Sequence, residues 1–166
     1  MKFDITSIKK ESGSSMKIQY DGAIDGVDIL DGFTVKDDIH LKGTLSNFND
    51  IIWLDGVLQL NYAGLCNRCL DTVYREMSLS MKEKFSMKPI DDETYLYEGN
   101  FIDLTKAVKD NIIVELPVKL LCSEQCKGIC PVCGRNLNNN ECNCGEDFNK
   151  NQDKPTNKFS VLKDLL

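Results

Sequence analysis

The sequence predicts an α+β protein: a curved, mainly antiparallel sheet over residues 1–87, a packed helix at about 103–115, and a cysteine-rich tail ordered by metal. Three observations carry this. Apolar and polar residues alternate through the first part, one later stretch has helical spacing, and six of the eight cysteines fall between Cys122 and Cys144. At 166 residues the chain suffices for one core with a small appendage, and not for two large domains. The expected division is a core with its helix at 1–117, a Cys-rich metal-binding segment at 118–148, and a polar linker with a short C-terminal helix at 149–166.

Met16 to Tyr20 and Ile39 to Leu45 have the period of strands buried on one face. The Asp-Gly pairs at Asp21-Gly22, Asp31-Gly32 and Asp55-Gly56 read as hairpin or loop signals between them. Leu58, Leu60 and Tyr62 keep one phase of a strand, and Val73, Met77, Leu79, Met81 and Phe85 keep one phase of another. Cys66-Asn67-Arg68-Cys69 lies between these runs, so it is expected at the tip of a long antiparallel hairpin. The polar, acidic stretch Lys88 to Asn100 reads as a loop. After it, Asp103 is placed to cap a helix with the apolar stripe Leu104, Ala107, Val108 and Ile112, which Pro117 helps to stop. Gly145 to Asn157 is polar, and Phe159, Leu162, Leu165 and Leu166 have the spacing of a short amphipathic helix. No internal repeat stands out.

From Cys122 to Cys144 there are almost no apolar residues to build a core, so something other than burial must order the segment. Four thiolates satisfy zinc tetrahedrally, and the two sulfurs of one CxxC turn reach the same ion. Two such pairs are present, Cys66/Cys69 and Cys130/Cys133. The second reads CPVCG, in which Pro131 restricts the turn and Gly134 frees the backbone amide to approach a sulfur. Cys142 and Cys144 complete a local quartet across the Asn-rich loop Asn136 to Asn140. By elimination, Cys122 and Cys126 join Cys66 and Cys69; other pairings between the sets stay open from spacing alone. Unpaired thiols are the bland alternative, and an iron–sulfur cluster is disfavoured because the usual ferredoxin spacings are missing.

Composition narrows the function. Net charge is −6 with a pI near 4.8, and only residues 117–166 are slightly basic, so no broad grip on nucleic acid is expected and no DNA binding. No apolar run has the length of a membrane span, and the N-terminus has no signal-peptide stretch. A reducing, cytoplasmic setting is therefore expected, where metal is a better reading of the cysteines than disulfides. A redox dithiol belongs at a helix N-terminus, whereas Cys66/Cys69 sit between strands. A catalytic zinc needs an open position; the only His, His40, is far along the chain, and Asp91, Asp92 and Glu93 read as a solvated loop. An enzyme is not expected. Lys127, Arg135 and Lys150 are the tail cations placed to meet phosphate, with solvation as the alternative for each.

CNRCL at 66–70, the run Ile102 to Leu104, ELP at 115–117, CSEQCKGICPVCGRNLN at 122–138, ECNC at 141–144 and FSVLKDLL at 159–166 together resemble the YceD family. The resemblance covers about Cys66 to the C-terminus and is weak before Leu58. It implies a non-catalytic cytoplasmic protein needed for accumulation of large-subunit ribosomal RNA, with that RNA or a large-subunit ribosomal protein as partner. It also implies that the distal quartet is an accessory to the hairpin-tip site. A zinc-stabilised protein–protein adaptor outside the ribosome is the alternative, with a thiol oxidoreductase behind it.

Overall fold

The computed structural model describes residues 1–24, 28–30 and 32–144, with side chains at 28–30 left aside. The expected terminal helix and Lys150 lie outside the described residues. Among the described residues, the fold is mostly sheet with two helices. Its strands are β1 (Lys2–Asp4), β2 (Ser15–Gly22), β3 (Asp28–Leu30), β4 (Phe33–Phe48), β5 (Ile51–Leu65), β6 (Thr72–Ser86), β7 (Thr94–Leu96) and β8 (Phe101–Asp103); its helices are α1 (Thr6–Lys9) and α2 (Thr105–Glu115).

An open sheet runs in the order β2-β4-β5-β6-β7, with β3 beside the first residues of β4. Its centre is the pairing of β5 with β6, from Ile52↔Phe85 through Leu58↔Leu79 and Leu60↔Met77 to Leu65↔Thr72. These strands alternate inward and outward, burying Ile52, Leu54, Leu58, Leu60 and Tyr62 on β5 and, with breaks at Arg75 and Glu83, Val73, Met77, Leu79, Met81 and Phe85 on β6. That alternation fixes the register, because a slip of one residue would expose the whole set. Ala107, Val108 and Ile112 of α2 are buried in the same core. Asp103 Oδ1 accepts from the backbone N–H of Thr105 at 2.9 Å and from its hydroxyl at 2.6 Å, satisfying a free donor of the first turn. At the other end Leu116 is extended (φ −61°, ψ 134°), which the following Pro117 requires.

Four expectations are corrected. Asp21-Gly22 and Asp55-Gly56 are not turns; they lie within β2 and β5. Gly56 faces Gly43 across the ladder, and a Cβ on Gly56 would sit 2.8 Å from the Lys42 carbonyl oxygen, so glycine there permits close approach of β4 and β5. The turn that joins β4 to β5 is Asn49-Asp50, both left-handed (φ 52° and 65°), as a two-residue type I′ hairpin demands. The stretch from Lys88 to Asn100 is not all loop, since its residues 94–96 add a parallel strand beside β6. Residues 1–87 do not form one sheet either: β1 leaves it to pair with β8.

That small pairing brings together two like segments, Asp4-Ile5-Thr6 and Asp103-Leu104-Thr105. In each, the aspartate accepts from the threonine backbone and hydroxyl at the start of a helix, and the residue between them is fully buried. The buried side chain of Asn47 holds α1 to the sheet by donating to the carbonyls of Ile8 (2.8 Å) and Lys9 (2.9 Å), while its oxygen accepts from Asp50 N–H at 3.1 Å.

Candidate metal centre

The turn between β5 and β6 puts Cys66 and Cys69 at the end of the central hairpin. The backbone N–H of Cys66 donates to the Asp71 carbonyl at 2.8 Å and that of Leu70 to the Cys66 carbonyl at 2.9 Å, so the chain wraps around both sulfurs. The CPVCG turn repeats this bond for bond. Cys130 N–H donates to the Arg135 carbonyl at 2.8 Å and Gly134 N–H to the Cys130 carbonyl at 2.9 Å. Gly134 is left-handed at φ 68°, and Leu70 holds the same place at φ 63°. Aligning CNRCLD with CPVCGR in the sequence would have shown this equivalence.

The structure gathers the eight cysteines into two groups, Cys66/Cys69/Cys122/Cys126 and Cys130/Cys133/Cys142/Cys144, with all sulfurs of a group within 4.8 Å of one another. None is in a disulfide. The donor set fits zinc: a Zn–S bond of about 2.3 Å in a tetrahedron puts sulfurs about 3.8 Å apart, and Cys66–Cys126 and Cys69–Cys122 are separated by 3.8 and 3.6 Å. Four thiolates fill the coordination shell, so either centre would be closed.

Amide donors around the sulfurs make thiolate charge tolerable. Cys122 N–H points at Cys66 Sγ (3.4 Å), Val132 N–H at Cys130 Sγ (3.4 Å) and the Asn138 side-chain amide at Cys126 Sγ (3.3 Å). Burial opposes ionisation of Cys66, yet the backbone donors of Cys69, Arg68 and Cys122 outweigh it and lower its pKa to about 6. Backbone donors of Cys133 and Val132 lower Cys130 to about 6 as well. Their neighbours move the other way. Cys144 is pushed up to about 12 by the adjoining Cys133 and by burial. Cys69 is also raised: the Asp71 backbone lowers it, but burial and the sulfurs of Cys66, Cys122 and Cys126 prevail. The Asn138 amide lowers Cys126 as well, so without metal the first quartet favours charge on Cys66 and Cys126 and the second on Cys130, while Cys69, Cys122, Cys142 and Cys144 hold protons that a bound cation would release.

The first quartet closes against the body, because Leu116, Leu120 and Cys126 are part of the main core. Asn67 fastens this junction, its N–H donating to the Leu120 carbonyl (2.8 Å) and its side-chain oxygen accepting from Leu120 N–H (2.7 Å). Of the three tail cations, Lys127 and Arg135 are exposed on the Cys-rich segment. His40 is near neither quartet in contacts; its Nδ1 lies 2.6 Å from Asp21 Oδ1 on the exposed side of the sheet. Asp91 belongs to a turn, bound by Lys84 at 2.8 Å and Thr94 at 2.6 Å. Asn136, Asn138 and Asp71 were not singled out from the sequence as partners of the first quartet, although an Asn-rich loop between two ligand pairs is a signal for such a role.

Among the described residues, no helix is long and apolar enough to cross a membrane. Residues 54–166 match the family described as large ribosomal RNA subunit accumulation protein YceD. A chloroplastic YCED homolog 1 of Arabidopsis thaliana, named as a large ribosomal RNA subunit accumulation protein, is 27% identical over 57% of this chain and 40% of its own. YlbN of Bacillus subtilis (strain 168) is 33% identical over 61% of this chain and 58% of its own. The chain therefore spans about half the length of these curated relatives. A Zea mays protein, likewise named YCED homolog 1, is 41% identical over 26% of this chain and 15% of its own. No solved structure matches the chain.

Proposed function

The chain belongs to the YceD family, and from that premise we propose that it is a non-catalytic zinc protein acting in large ribosomal subunit biogenesis. The observation that carries the metal reading is the pair of four-sulfur groups, each with its sulfurs within 4.8 Å of one another, the first with two edges of tetrahedral length. Both lie in the part of the chain that matches the family. Closed thiolate shells leave no position for a substrate, so the ions would serve architecture. Cys66, Cys69, Cys122 and Cys126 would hold one ion, and Cys130, Cys133, Cys142 and Cys144 the other.

On this reading the fold is α+β, with residues 1–117 a core, 118–148 a zinc-ordered segment and 149–166 a linker and terminal helix. The protein works in the cytoplasm on large-subunit ribosomal RNA or a ribosomal protein. Lys127, Arg135 and Lys150 are the proposed RNA contacts, set on the one part of the chain whose charge does not repel phosphate. The test follows the tagged chain through sucrose gradients while large-subunit RNA is measured in cells that lack it. Sedimentation with large-subunit precursors, and a selective fall of that RNA on deletion, are the expected results. A chain that stays at the top of the gradient, with large-subunit RNA unchanged on deletion, would overturn the proposal.

A further inference from the structure

Two closed metal centres that share one Cys-rich segment would load independently if only the chain joined them. The loop between Cys133 and Cys142 argues against independence. Resting on the reading that both quartets hold zinc, we propose that Asn136–Asn138 couples them, so that metal in the distal quartet raises the affinity of the hairpin-tip quartet.

Asn138 is the centre of the argument. Its side-chain nitrogen donates to Cys126 Sγ at 3.3 Å, and its side-chain oxygen accepts from Lys127 N–H at 2.8 Å. A carboxamide supplies a donor for the sulfur and an acceptor for the backbone on separate atoms of one short side chain. Asn136 positions it: its side-chain oxygen accepts from the backbone N–H and the side-chain amide of Asn138, both at 2.9 Å. The other end of Asn136 donates to Asp71 Oδ2 at 2.7 Å, and the Asp71 carbonyl in turn accepts the Cys66 N–H. The loop therefore touches both halves of the hairpin-tip quartet, the tail half at Cys126 and the hairpin half at Asp71.

The ends of the same loop are Cys133 and Cys142, which belong to the distal quartet. The rest of the loop is held near its Cys133 end, by Cys130 N–H to the Arg135 carbonyl at 2.8 Å, Leu137 N–H to the Gly128 carbonyl at 2.9 Å and the bridge between Ile129 and Asn136. Beyond Asn138, among the described residues, there are only Asn140 N–H to the Asn136 carbonyl at 3.2 Å and Arg135 to the Glu141 carbonyl at 3.5 Å. Gly128 itself sits close to the hairpin tip; it is left-handed at φ 75°, and a Cβ there would lie 3.2 Å from the Arg68 carbonyl oxygen. With the distal quartet empty, the Cys142 end is released, and placing Asn138 on Cys126 requires ordering the loop. With it filled, that ordering is already done. Loss of such a partner beyond the ligands typically weakens a metal site 10- to 100-fold, and linkage makes the coupling reciprocal.

The test uses the full chain loaded with cadmium, a thiolate-seeking stand-in for zinc that gives each quartet its own NMR resonance. The distal resonance is assigned by its loss in the double variant Cys142→Ser/Cys144→Ser. Chelator competition is then followed at the hairpin-tip resonance in the parent, in Asn138→Asp, in the double serine variant and in all three changes combined. Asn138→Asp keeps the acceptor for Lys127, removes the amide's donations to Cys126 and Asn136, and adds a negative charge beside the sulfurs. Expected are about tenfold weaker binding for Asn138→Asp in the otherwise intact chain, about the same for the double serine variant, and less than a further twofold when they are combined. Equal weakening by Asn138→Asp in both backgrounds, or none in the intact chain, overturns the coupling while leaving the zinc reading standing. A parent chain that takes up no metal overturns both.

Discussion

Leu70 occupies a backbone conformation better suited to glycine. It is left-handed at φ 63°, while its structural counterpart in the second turn is Gly134. Its side chain is largely exposed, so little packing is at stake. A left-handed L-residue costs roughly 1–2 kcal/mol, and the extra freedom glycine brings to the unfolded chain costs about 0.5–1 kcal/mol. Leu70→Gly is therefore expected to keep or raise the melting temperature of the zinc-loaded protein, and Leu70→Val to lower it; a clear fall in the glycine variant would show that side-chain contacts govern this turn. Asp103 offers a second test. Hydrogen bonds from the side chain and backbone of Thr105 hold its carboxyl at about 2, against an ordinary value near 3.9. A depressed folded pKa means that its stabilisation is complete above about pH 4 and is lost as pH falls toward 2. Asp103→Ala should cost about 1 kcal/mol in denaturant unfolding at pH 7, an upper figure for a half-exposed carboxylate, whereas Asp103→Asn should recover most of the loss.

The central hairpin was readable because β5 and β6 are long and bury one face, so a period of two runs from Ile52 to Tyr62 and, broken only at Arg75 and Glu83, from Val73 to Phe85. The hairpin-tip position of Cys66 and Cys69 followed from that phase. Short strands carry no such period: β1, β7 and β8 have three residues each, and only pairing between distant parts of the chain defines them. The Asp-Gly signals misled because glycine also serves strands that approach closely, as Gly43 and Gly56 do. The Asn49-Asp50 turn was overlooked although both residue types tolerate left-handed backbone. The cysteine grouping was readable where spacing is local and rested on elimination where it crosses the chain, since nothing in a CxxC states which distant pair it meets. These two kinds of closure differ in consequence. The hairpin-tip quartet ties β5 and β6 to the segment after α2, and the distal one staples a short loop. Cys66→Ser should lower the cooperative melting temperature more than Cys142→Ser, as followed by circular dichroism with zinc present; equal shifts would contradict the division of labour.

Across the whole molecule, an acidic body carries a slightly basic tail through a junction made of sulfur ligands, Asn67 and Leu120. With metal bound as proposed, the position of the tail would depend on it, and a proton would be its natural competitor. Thiolates must be free of protons to bind zinc, so acidification from pH 7 is expected to weaken binding, and zinc added to the metal-free chain should release protons. On the proposed function, the tail would present Lys127 and Arg135 in fixed relation to the body only while both quartets are filled. The most direct check on this account is X-ray absorption at the zinc edge, together with metal counting, on protein purified under reducing conditions. Two zinc ions per chain, each with four sulfur neighbours at about 2.3 Å, is the predicted result. Protein free of metal, or zinc with nitrogen or oxygen in its shell, would contradict it.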